Sequence, residues 1–252
     1  MAKLRTHLPH APVTEAVIDF RVVANKNLTV AAFERLVERL APDYLKKGPI
    51  FELMASFAID PKGERSSDVA SQEIGIRMHS ADERYVAQFQ LAGFSLSRLE
   101  PYETWDKLLA EAQRLWELYV DTVEPDKVVR VATRFINNLR LPMQPGEDFG
   151  VYLTKPPQVP EGLPQGLSSF LQRVLLHDQK ADIRATLTQA LQSLPVGDLP
   201  EHIPVILDID VYRLTEFGTD GRELRECLEH LRAFKNLAFY ESLTEKAVEQ
   251  YL

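Results

Sequence analysis

The chain has 252 residues, of which 45% are hydrophobic and 26% charged, with a formal net charge of −8. A chain of this length buries roughly 70–75% of its unfolded surface, enough for one large domain or two small ones. The acidic balance works against binding nucleic acid through its phosphates, which needs clustered Lys and Arg; the local clusters here are short, such as Lys46 with Lys47. No run of about 18 apolar residues predicts a membrane span. Met1 to His10 lacks the apolar core of a secretory signal, and a lone cysteine, Cys227, cannot form an intramolecular disulfide. The expected location is cytoplasmic.

In chain order, Val13 to Val23 alternates as a strand, with Ala16, Ile18, Phe20 and Val22 on one face and Glu15, Val17, Asp19 and Arg21 on the other. Thr29 predicts the N-cap of a helix reaching Leu40, striped by Phe33, Leu36, Val37 and Leu40. Pro42 and Gly48-Pro49 break the chain before a strand over Ile50–Ile59. The polar stretch Pro61–Ser71 reads as an exposed loop, Glu73–His79 and Arg84–Leu91 as a hairpin, and Gly93–Leu99 as a short connection.

The strongest pattern follows. Trp105, Leu108, Leu109, Ala112, Leu115, Trp116, Tyr119, Val120 and Val123 recur at helical spacing, with Pro101 suited to the first turn. After Pro125 the period falls to 2: along Val128–Leu141, Val129, Val131, Thr133 and Phe135 face one way, and Arg130, Ala132 and Arg134 the other. Residues 155–164 are proline-dense and read as a linker. Beyond it the pattern predicts a short helix over Leu167–Leu176 and strands over Ala181–Ser193 and Pro204–Thr215. Asp220 with Glu223, and Ser242 with Glu245, have the capping-box spacing for a helix through Leu237 and for a short terminal helix. The fold class expected is α+β, with mainly antiparallel sheets, helices packed on one face, and two sheet-and-helix halves. The halves would span 1–154 and 167–252, joined by residues 155–166 and packed together as one unit.

Chemistry is sparse. No phosphate-cradling glycine motif and no nucleophile elbow occurs, and the histidines do not cluster; a lone His177-Asp178 pair makes no metal site. Neither a catalytic residue, a metal nor a cofactor is expected. The polar strand faces hold the best candidates for a ligand site. Asp208, Asp210 and Tyr212 project to one side of their strand, as do Arg130 and Arg134 of theirs and Glu15 and Asp19 of the first. If these faces meet they make either a mixed-charge pocket or a sheet face laced with structural ion pairs. Asn137, near Arg134, joins the candidate set. Trp105, Trp116 and Tyr119 could line a cavity, although that spacing also describes plain core, and Cys227 beside an apolar stripe reads as a buried thiol.

Four stretches together resemble a sporadically distributed prokaryotic protein family of about this length. They are Leu8 to Ala16 (LPHAPVTEA), Leu99 to Tyr102 leading to Trp105 and Trp116, Arg130 to Asn137 with its Arg134-Phe135-Ile136-Asn137 core, and Phe239 to Thr244 (FYESLT). The resemblance spans nearly the whole chain and brings no catalytic residues with it. Its patchy distribution implies an accessory factor encoded near defence or toxin–antitoxin genes. The resulting expectation is a binding or regulatory protein with a protein partner, a second copy or a small molecule as its ligand. The alternative is an enzyme or small-molecule sensor built on the Arg/Asp face.

Overall fold

The computed structural model describes residues 8–24, 27–59, 65–143, 147–191 and 201–252. Nine strands of these residues form one antiparallel sheet: β1 (Val13–Val22), β2 (Tyr44–Ile59), β3 (Arg65–Ser80), β4 (Tyr85–Gln90), β5 (Gly93–Leu99), β6 (Val128–Leu141), β7 (Phe170–Asp178), β8 (Ile183–Leu191) and β9 (Ile203–Arg213). Their order across the sheet is β2-β3-β4-β5-β1-β6-β9-β8-β7, so β1 and β6 meet at the centre while β2 and β7 are the edges. The α-helices are α1 (Phe33–Leu40), α2 (Trp105–Val123), α3 (Gly221–Ser242) and the short α4 (Glu245–Glu249). The chain is therefore α+β.

Local chemistry explains the helix ends. Thr104 Oγ1 accepts from the Lys107 N–H at the start of α2, and Glu124 closes it in the left-handed region with φ 46°, just before Pro125. Pro101 stands outside the helix, four residues before it, joined to Glu100 by a cis peptide. Asp220 caps α3 through the Arg222 N–H rather than through Glu223, and α3 runs on to Ser242, past the expected Leu237. Ser242 is not the cap of the last helix: its hydroxyl donates to the Ala238 carbonyl, and Thr244 accepts from Ala247 N instead.

The core lies where helices meet strands. Phe20 of β1 packs 4.6 Å from the Trp116 ring of α2, and Phe135 of β6 sits against Tyr102 and Trp105, at 5.5 and 6.4 Å. Helix α3 lies on β6 and β9, and Trp105 Nε1 donates to Glu229 of α3 at 2.7 Å, tying the two long helices together.

Several expectations are corrected. Gly93–Leu99 is no connection but an interior strand, hydrogen-bonded to β4 and β1, with every residue from Gly93 to Arg98 buried. Its first residue must be small, because a Cβ at Gly93 would lie 2.7 Å from the Phe20 carbonyl oxygen. Leu167–Leu176 is not a helix: Phe170–Asp178 is the edge strand β7. An edge strand exposed on both faces shows no period-2 alternation, and its apolar residues at 167, 170, 171, 174 and 175 mimic helical spacing. The expected loop over Pro61–Ser71 is strand from Arg65 onward, and its first residues, 61–64, lie outside the described set. Strand β2 begins at Tyr44 and passes through Pro49, which an edge strand tolerates because one side of its backbone has no neighbour to bond.

Strands β2 and β3 outrun the sheet. β4 pairs with β3 only over Gly75–His79, whereas β2 pairs with β3 from Tyr44 to Ile59. The register slips at Ile50/Phe51, leaving Ile74 as the extra residue of a bulge, and beyond it a two-stranded ribbon continues alone. Gly75 marks the departure point, where a Cβ would collide with the Phe89 carbonyl oxygen.

Candidate functional site

The expected charged residues do gather. On the β1–β6–β9 surface Asp19 Oδ1 accepts from Arg130 at 2.5 Å, while Asp19 Oδ2 lies 3.2 Å from Arg21. Arg130 also reaches Asp210 at 3.2 Å and lies over the Tyr212 ring, 4.9 Å from its centre. Arg134 forks onto Asp208 with two bonds of 2.8 and 2.6 Å. Strand register makes this possible: Arg134 is opposite Asp210 and Val17, so each arginine reaches diagonally to a carboxylate on the neighbouring strand. Glu15, paired in register with Ile136, adds its negative charge to the field that raises the Arg134 pKa, behind the larger effect of the Asp208 bond.

Three guanidinium groups thus share three aspartates. Burial pushes the Asp210 carboxyl above its ordinary pKa, against the opposing pull of Arg130 and Arg134. Of the three cavities described in the molecule, none is lined by Arg130, Arg134, Asp208 or Asp210. The network can staple three strands together; its charges already have partners.

Asn137 does not belong to this group. It is buried on the other face of β6, two residues on from Phe135, and its amide donates to the Phe135 and Leu207 carbonyls at 3.3 and 2.9 Å. It lines a different feature, a cavity of about 160 Å³. The walls come from the segment Leu8–Val13, from Tyr102 and Trp105, from Phe135 and Asn137, and from Phe239 and Tyr240 of α3. Residues remote in the chain meet here, drawn together by β6 in the sheet and α3 above it. Trp105 is a cavity wall as well as core, whereas Tyr119 is core only.

Lys235 completes this cavity and went unread in the sequence. Its ammonium sits 3.9 Å from the centre of the Phe135 ring. Burial, reinforced by the nearby Arg232 charge, pulls its pKa down to about 7. Arg232 lies over Trp105 at 5.5 Å and is paired with Glu229 at 3.2 Å. A signal was present in the sequence: Lys235 stands four residues after Leu231 and four before Phe239, inside the apolar stripe of α3.

The protruding ribbon is the third feature. Direct cross-strand partners share a face, so Phe51, Leu53 and Ala55 lie beside Glu73, Ser71 and Val69. Phe51, Leu53 and Val69 are 56, 72 and 67% exposed.

Among the described residues no group of three or more His, Cys, Asp or Glu could hold a metal ion, and no helix is long and apolar enough to cross a membrane. Cys227 is buried, and burial raises its thiol pKa. Compared with protein-family models and with curated proteins, the chain matches none.

Proposed function

We propose that this is a non-catalytic binding or regulatory protein, a member of the family its four stretches resemble, that takes hold of a protein partner through the β2–β3 ribbon. The observation that carries this is the ribbon's apolar face. An isolated two-stranded ribbon is at best marginally stable in water, and Phe51, Leu53 and Val69 gain nothing from standing in solvent. A partner that covers them supplies the missing layer. The Arg/Asp face is the poorer docking surface, since its charges are spent on one another.

The architecture supports two sheet-and-helix halves with helices on one face. The first half, 1–154, contributes β1 to β6 with α1 and α2, the second, 167–252, contributes β7 to β9 with α3 and α4, and β6 pairs with β9 where the two join. Phe20 and Phe135, both from the first half, turn toward the helices. A cytoplasmic accessory factor is the setting this reading implies.

The test is the double substitution Leu53→Glu and Val69→Glu, both at exposed positions where folding tolerates charge. The wild-type chain should self-associate in light scattering or retain a host protein in pull-downs, and the variant should lose that association with its melting curve unchanged. A wild-type chain that stays monomeric at high concentration and retains nothing the variant does not would overturn the proposal.

A further inference from the structure

Independently of the ribbon, the cavity around Lys235 has a chemistry of its own. It holds one cation without a counter-charge. Arg232 is matched by Glu229, but among the described residues Lys235 has neither an ion pair nor a hydrogen bond, only the Phe135 ring. Desolvating an ammonium is costly, and contact with a ring quadrupole offsets only part of that cost. A structural role would be served as well by Leu or Met.

We propose that this cavity binds a small organic monocarboxylate with a flat apolar body, its carboxylate on Lys235 Nζ and its body against the cavity walls made by Tyr102 and Trp105. Charge decides the head group. One uncompensated cation matches one negative charge, whereas a phosphate dianion would leave one of its charges unmatched. Size decides the body: about 160 Å³ is close to the ~150 Å³ that accommodates a single benzene ring. The aromatic walls favour flat apolar surface, and a charge-assisted bond to the ammonium fixes its orientation. The carboxylate would also restore the proton that burial strips from Lys235.

Titration calorimetry on the full chain, with sodium benzoate as probe and benzamide as its neutral counterpart, tests this. Benzoate should saturate the wild-type protein in the micromolar to millimolar range, at least ten-fold tighter than benzamide, and should quench the emission of Trp105. Lys235→Met should weaken benzoate at least ten-fold and leave benzamide unchanged. Inorganic phosphate should bind no better than benzamide does. The wild-type chain alone gives a second readout. The other titratable or charged groups around the cavity are Arg232, its partner Glu229, Tyr102 and Tyr240, and burial moves Tyr102 upward, away from neutrality. Benzoate affinity should therefore fall about ten-fold per unit above pH 7, with proton uptake seen as a buffer-dependent heat. Equal binding of benzoate and benzamide, equal binding by wild type and Lys235→Met, or no saturation by tens of millimolar benzoate would each overturn the assignment.

Discussion

On one side of β6, Arg130 and Arg134 meet aspartates from β1 and β9; on the other, Phe135 lies under an ammonium that meets none. The two faces of one strand thus handle charge in opposite ways. The exposed face is self-neutralised by short, partly bidentate pairs between residues that register places on neighbouring strands. The helix-side face takes its cation from α3, against aromatic rings. A saturated network has little left for a ligand, while a single unmatched charge beside aromatic rings has a specific deficit that a ligand can fill. The contrast is the reason the proposed small-molecule site lies on the side with fewer charges.

The comparison breaks most decisively at Phe135. The ring is buried and touches Tyr102, Trp105 and the Lys235 ammonium, so Phe135→Ala removes core packing and the ring that faces the cation. Urea denaturation should show a loss of about 3–5 kcal/mol. Lys235→Met sharpens the contrast with opposite sign. With its folded pKa drawn down to about 7 from 10.5, the native protein binds fewer protons here than the unfolded chain between those values. Wild-type stability contributed by this group therefore rises with pH across that window and is lowest at and below pH 7. The methionine variant should be more stable than wild type near pH 6. That advantage should shrink by about 1 kcal/mol per unit up to pH 9.

The sequence disclosed the charged face better than the cavity, for physical reasons. Alternation along β1, β6 and β9 is a period-2 signal that assigns Asp19, Arg130, Arg134, Asp208 and Asp210 to one kind of surface, and opposite charge then suggests the pairing. Asn137 breaks the group because two residues in a strand keep a face and three reverse it: Arg134 and Asn137 are three apart. The cavity is assembled from four remote stretches, and no periodicity within one stretch announces what lies across a helix–sheet interface. Lys235 alone left a local trace, as a cation in an apolar stripe. Strand β5 was missed because Ser95, Ser97 and Arg98 are buried there, an interior strand with a polar composition. Strand β7 carries a helix-like pattern because it stands exposed at an edge, where the pressure for alternation is absent.

Within the charged network the expected effects are smaller and graded by burial. Asp19 serves both Arg21 and Arg130 and is nearly enclosed, so Asp19→Ala should cost about 1–3 kcal/mol by leaving Arg130 with Asp210 alone. Arg134 is 48% exposed, and its bidentate pair with Asp208 faces water. Such pairs are worth ~0–1 kcal/mol, so Arg134→Ala should barely move the denaturation midpoint, and the small difference should vanish in 1 M NaCl. A loss well above 1 kcal/mol that persisted in salt would mean that the network carries more of the sheet than its exposure implies. The division drawn between the two faces of β6 would then fail on the charged side.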